Sequence, residues 1–267
     1  PLNPPPPVPA LISAPDTNMD PDALHIYYLD IRQLSDTDYG DAMRMMSESE
    51  RTRADKFKRG RETYIASRWL LRRVLGSYLQ VAPEAVTFAR TDMGKPYLPG
   101  HSLQFSLSHS GNQVVLALGQ AELVGVDIET PGSARDLIAI AERYYHPREF
   151  ARLQALDERD QTDYFYRLWT LKEAFFKALG TGISTGLEKV EFVFAGDKIS
   201  GKIHPSLDPS PATALGATPA ASPAINPHTW HFHQWKLSDR DYCALACKSH
   251  FNPRIRWCSP FTMPAFP

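Results

Sequence analysis

The same succession of elements can be read twice along this chain of 267 residues. Asp30 in a strand, Glu50 just inside a helix start and Arg72 in a helix line up in order with Asp127, Glu149 and Glu173. A closing hairpin over 105–118 lines up in turn with one over 232–246. This pattern predicts an α+β fold of two similar halves, 23–121 and 122–250, related by an approximate two-fold axis with the active site at their seam. The flanks read differently. Residues 1–22 hold eight of the 23 prolines and predict a flexible tail, and residues 203–229, with six prolines and many alanines, predict a low-complexity loop. The tail 251–267 mixes aromatics with prolines and takes no assignment.

In the second half, Val124, Val126 and Ile128 alternate with Gly125, Asp127 and Glu129. A strand here buries one face and presents both carboxylates on the other. Acids two apart on a strand are separated by roughly 7 Å of rise, so they can converge on one hard cation such as Mg²⁺, which takes a few carboxylates and leaves positions for water and phosphate oxygens. Acids that simply face water are the alternative.

The stretch Asp163–Leu179 predicts a helix ended by Gly180. Leu168, Leu171, Phe175 and Leu179 form its apolar stripe, and Thr170, Glu173 and Lys177 share another, where Glu173 and Lys177 could also be a plain ion pair. Upstream, Ser47 and Glu50 form a capping box opening a helical stretch that breaks near Gly60 and runs to about Leu79. Between Arg51 and Arg73 it carries nine basic residues, Arg61 and Arg68 among them, against two acids. That density suits an anionic partner, either a polyphosphate or an acidic protein, or else a solvated face. Asp92–Pro96 is a turn in which Lys95 could meet a phosphate. His109 lies in a hairpin tip over 108–112, where it could bind an anion or take a proton. Helix over 133–155 with a break at Pro147, and strand over 190–194, complete the reading.

With 29 basic and 30 acidic residues, the balance argues against a protein that coats nucleic acid or an anionic membrane. Cys243, Cys247 and Cys258 are too few for a disulfide framework, no leader opens the sequence, and no run approaches the roughly 18 apolar residues of a membrane span. A cytoplasmic monomer is expected.

Gly125-Val126-Asp127-Ile128-Glu129 followed by Trp169-Thr170-Leu171-Lys172-Glu173-Ala174-Phe175-Phe176-Lys177, with Gly94-Lys95-Pro96 and Phe105-Ser106-Leu107-Ser108-His109-Ser110-Gly111 upstream, resembles the 4'-phosphopantetheinyl transferase superfamily, and best its long, pseudo-dimeric Sfp-like class. The resemblance implies transfer of the phosphopantetheine arm from coenzyme A to a serine of an acyl or peptidyl carrier protein, releasing adenosine 3',5'-bisphosphate. It implies that Asp127, Glu129 and Glu173 hold Mg²⁺. Glu173, with Lys172 beside it, would activate the carrier serine directly or through a water. Lys177, Lys95, Ser108 and His109 would contact phosphates, and Arg61 and Arg68 the 3'-phosphate. Val126–Thr130 also resembles the first motif of two-metal 3'–5' exonucleases, although no Tyr-x-x-x-Asp or matching His motif follows. A carrier-binding module without catalysis would require the acids to be lost, and all three are present.

Overall fold

The computed structural model describes residues 20–132, 136–182, 186–207 and 229–262. The proline-rich stretch 1–19, residues 208–228 of the low-complexity segment and 263–267 of the tail lie outside the described residues. The first run of elements is β1 (Ala23–Asp30), α1 (Asp36–Met45), α2 (Glu48–Asp55), α3 (Arg61–Leu79), the short β2 (Ala89–Arg90) and β3 (Pro96–Tyr97), then β4 (Gln104–Ser110) and β5 (Gln113–Gly119). The second is β6 (Leu123–Glu129), α4 (Leu137–Tyr144), α5 (Pro147–Gln154), α6 (Glu158–Leu179), β7 (Val190–Ala195), β8 (Lys198–Ile203), β9 (Thr229–Lys236) and β10 (Tyr242–Ser249). A last strand, β11 (Arg254–Cys258), follows.

The order strand, three helices, hairpin, hairpin therefore recurs, but the strand register corrects the alignment read from sequence. Asp30 stands opposite Gln113, the first residue of β5, and Glu129 stands opposite Tyr242, the first residue of β10. The counterpart of Asp30 is thus Glu129 and not Asp127. The helices shift likewise, and Arg72 corresponds to Lys172 and not Glu173. The helix starts explain themselves: Ser47 caps α2 with Glu50 reaching back, and His146 caps α5 with Glu149 reaching back, so orphan amides at each end find acceptors.

One sheet runs β11-β1-β5-β4 and the other β6-β10-β9. Period-2 alternation sorts their side chains onto two faces. Tyr27, Leu29, Val114 and Leu116 pack toward α3, whereas Leu24, Ile26, Val115 and Ala117 meet Val124, Val126, Ile128 and Leu245 of the other sheet. The core between the two sheets is therefore sheet against sheet, with Trp235 and Trp257 set edge to face within it. Around α6, a third cluster gathers Phe165, Leu168, Phe175, Phe192 and Phe232.

At the edge of β6 opposite β10, no backbone ladder forms with β4. Instead the hydroxyls of Ser106, Ser108 and Ser110 accept from the amides of Val126, Ile128 and Thr130 at 3.0, 3.4 and 3.0 Å. Alternate serines on one strand thus satisfy alternate amides on the next, groups that would each cost about 1–3 kcal/mol if buried unpaired. The matching edge of β1 is closed by β11, paired in parallel.

Candidate active site

Gly125 is where strand and helix touch. A Cβ at this position would lie 2.9 Å from Ala178 Cα and closer still to the Ala174 carbonyl oxygen and the Ala178 amide nitrogen, so only glycine lets β6 lie directly on α6. Asp127 and Glu129 share its face of the strand, and the close approach brings them against the helix turns that carry Glu173 and Lys177.

Asp127 is 3 % exposed. Its Oδ1 accepts from Ser108 Oγ at 2.8 Å and from Lys177 Nζ at 2.6 Å, while Oδ2 is buried with no hydrogen-bond partner. Glu129 accepts from the Trp169 indole at 3.3 Å on Oε1 and from Ser110 Oγ at 3.5 Å on Oε2. Burial, then the charge on Asp127 and to a lesser extent that on Glu129, pushes the Glu173 carboxyl up to about 7, against the pull of Lys177. Three carboxylates thus crowd one another at the strand end. Among the described residues no three His, Cys, Asp or Glu side chains stand in a ready-made metal cage. The donor set nevertheless suits a hard divalent cation: oxygen ligands only, one buried oxygen without a partner, and a carboxyl whose pKa is raised by burial and then by its neighbours' charge.

Beside the acids opens a cleft of about 390 Å³. Its walls come from both runs of elements, with Arg68, Lys95 and His109 from the first facing Glu173 and Lys177 from the second. Arg68 lies over the Tyr64 ring at 5.3 Å and 3.8 Å from Glu50. Lys95 Nζ donates to the Ala178 carbonyl at 2.6 Å, near the C-terminal end of α6, and burial lowers its pKa to about 8. His109 belongs to β4 and not to the turn, since the hairpin tip is Gly111 and Asn112, and its side chain keeps solvent contact at the cleft wall. Partial desolvation there, then the charges of Lys177 and Arg68, hold its pKa below the usual range.

Two of the sequence candidates stand elsewhere. Arg61 is exposed, pairs with Asp55 at 3.1 Å and lines two neighbouring hollows, one of which meets the cleft at His109, but not the cleft itself. Lys172 is fully buried on another face of α6, paired with Glu149 at 2.8 Å. Neighbours on a helix point about 100° apart, so Glu173 and Lys172 cannot both face the cleft. Ser108 is reached, but its hydroxyl is already engaged by Asp127, Lys177 and the Ile128 amide. The sequence reading missed Trp169, whose place one turn before Glu173 was a usable signal. It also missed Arg53 and Arg90, which line the cleft. Arg53 belongs to the basic stretch, whereas nothing local marked Arg90.

Residues 123–247 match the family described as the 4'-phosphopantetheinyl transferase superfamily, and residues 33–121 match the N-terminal region of 4'-phosphopantetheinyl transferases. The 4'-phosphopantetheinyl transferase HetI of Nostoc sp. (strain PCC 7120) is 34% identical over 183 residues, 66% of this chain and 76% of that protein. The chain belongs to the 4'-phosphopantetheinyl transferase superfamily. Within it, the transferase Sfp of Bacillus subtilis (strain 168) is 32% identical over 60% of this chain and 71% of its own. The L-aminoadipate-semialdehyde dehydrogenase-phosphopantetheinyl transferase of Xenopus laevis is 34% identical over 51% of this chain, a match spanning 49% of that protein. This phosphopantetheinyl transferase uses coenzyme A as its substrate and carrier proteins as acceptors, and these relationships lend the exonuclease reading no support. No helix among the described residues is long and apolar enough to cross a membrane, and the three cysteines are buried and free.

Proposed function

We propose that the cleft seats the pyrophosphate of coenzyme A against Lys177, with Arg68, Lys95 and His109 taking its other phosphate oxygens, and that Asp127, Glu129 and Glu173 hold Mg²⁺. The observation that carries this reading is the buried, unpartnered Oδ2 of Asp127 beside a Glu173 whose carboxyl is pushed up to about 7. Both are costs of folding that a bound cation would relieve. Mg²⁺ there would offset charge on the pyrophosphate oxygens and the leaving group.

The carrier serine hydroxyl attacks the pyrophosphate phosphorus that bears the pantetheine arm, and the bond from that phosphorus to the bridging oxygen breaks. Adenosine 3',5'-bisphosphate leaves with the bonding pair. The serine proton passes to Glu173, whose carboxylate lines the cleft beside Lys177. Lys177 supplies fixed positive charge where negative charge builds on the transferred phosphoryl group. Neither Arg61 nor Lys172 lines the cleft. One chain provides both walls of the cleft, which supports action as a monomer.

Asp127→Asn tests the reading, because it keeps the shape and the Ser108 bond while removing the charge. Formation of holo-carrier should fall at least about a hundredfold, with the melting temperature kept within a few degrees. Unchanged turnover in that variant would remove Asp127 from the metal site.

A further inference from the structure

Lys172 has a twin. In the first run of elements Arg72 Nε donates to Glu50 Oε2 at 2.8 Å, and its Nη1 donates to the carbonyls of Pro83 and Val86 at 3.0 Å each. In the second, Lys172 Nζ pairs with Glu149 Oε2 at 2.8 Å and donates to the carbonyls of Leu187 and Val190 at 2.9 and 2.5 Å. Each acid is the capping-box glutamate of the preceding helix, accepting from the amide of Ser47 or His146. Each pair of carbonyls brackets a 3-10 turn, Pro83–Ala85 or Leu187–Lys189. Each cation also stands over a ring, Arg72 over Phe88 at 5.4 Å and Lys172 over Phe192 at 5.8 Å. Pro83, Val86 and Phe88 stand to Leu187, Val190 and Phe192 at one constant offset along the chain.

The residue after Lys172 is Glu173, whereas the residue after Arg72 is Arg73, and Arg72 is 3 % exposed. The same cage is therefore built where no acid of the site follows it. What is common to both copies is architectural: a buried cation ties the helix to the preceding capping box and to the following 3-10 turn. In the second copy that helix is α6, and the tie is one residue from Glu173. Fixing Lys172 inward fixes the rotation of α6, and with it the directions of Glu173 and Lys177.

We propose that Lys172 is a positioning residue of the transferase: paired with Glu149, it sets the rotation of α6 that aims Glu173 and Lys177 into the cleft, and it exchanges no proton with substrate. This rests on the reading of Glu173 as the group acting in the cleft. Arginine makes the same set of bonds in the twin cage, so it can replace lysine as a tie but not as a proton acceptor, because its guanidinium stays charged.

The test compares Lys172→Arg, Lys172→Met and Glu149→Gln in the full chain, reading kcat, the KM for coenzyme A, the pH profile and the melting temperature. Lys172→Arg should keep kcat within about tenfold of wild type, with an unaltered pH profile. Lys172→Met should lose about a hundredfold in kcat with little change in KM, as a small misplacement of reacting groups does. Glu149→Gln, which leaves the lysine chemically intact, should lose at least about tenfold in kcat by the same route. A folded Lys172→Arg enzyme as slow as Lys172→Met, or a Glu149→Gln enzyme as fast as wild type, would overturn the proposal. If Lys172→Met does not fold, the other two variants decide. A wild-type protein that transfers nothing would instead sink the reading of the cleft. The melting order, with Lys172→Arg above Glu149→Gln, would still test the tie.

Discussion

Substituting Gly125 by alanine adds a single methyl group, and the structure says what it must do. The new Cβ would lie 2.9 Å from Ala178 Cα, with the Ala174 carbonyl oxygen and Ala178 amide nitrogen closer still, where carbon contacts settle at about 3.5–4.0 Å. Neither neighbour is the flexible end of a side chain, since all three atoms are backbone of α6. Strand and helix must therefore separate by roughly 1 Å. Overpacking of this kind costs typically about 1–3 kcal/mol, and in a domain of this size each kcal/mol lowers the melting temperature by about 2–4 °C. The catalytic loss should be larger, because a displacement of about 1 Å can cost about a hundredfold in rate. Thermal melts followed by circular dichroism, with intact-mass assays of holo-carrier formation, would measure both. Gly132→Ala serves as the control: among the described residues nothing lies within 4 Å of its added methyl, so it should change neither quantity. A Gly125→Ala protein with wild-type turnover would refute the claim that this contact sets the acids against Glu173 and Lys177.

The Glu173 carboxyl, raised from 4.5 to about 7, holds a proton below that pH in the free protein, so Mg²⁺ must displace it; affinity should weaken toward about tenfold per pH unit below 7, with proton release in calorimetry. Because the folded pKa is raised, the group lowers the stability of the free protein as pH climbs from 4.5 through about 7, and the gain in melting temperature on adding Mg²⁺ should be greater at pH 8 than at pH 5.5. An affinity that does not change with pH would contradict this. Arg68→Ala should raise the KM for coenzyme A about tenfold or more, whereas Arg61→Ala, whose guanidinium is exposed and paired with Asp55 outside the cleft, should leave steady-state kinetics as they are.

Local periodicity made the centre of the site legible. The alternation over Val124–Glu129 put Asp127 and Glu129 on one face, and the three-and-four spacing in α6 put Glu173 and Lys177 on one stripe, because these patterns follow from backbone geometry alone. Long-range features were not legible. Strand β11 exists because β1 has an open edge 231 positions earlier to receive it, and nothing within 254–258 says so. Helix α1 is too polar to show a stripe and buries only Ala42. The alternate serines of β4 were visible as a pattern, but not that their partners were the amides of β6. Lys172 shows the limit most clearly, since its place in the motif suggested chemistry and only packing reveals which way it turns. The basic stretch behaved similarly: charge density marked it, and the pairing with Asp55 set Arg61 apart from Arg68.

The most direct measurement is to incubate the protein with coenzyme A, Mg²⁺ and an apo carrier protein, and to weigh the carrier by intact-mass spectrometry. The carrier should gain the mass of one phosphopantetheine, a gain abolished by a chelator and by Glu173→Gln. A carrier that keeps its apo mass across several acyl and peptidyl carriers, or a gain that survives Glu173→Gln, would contradict this.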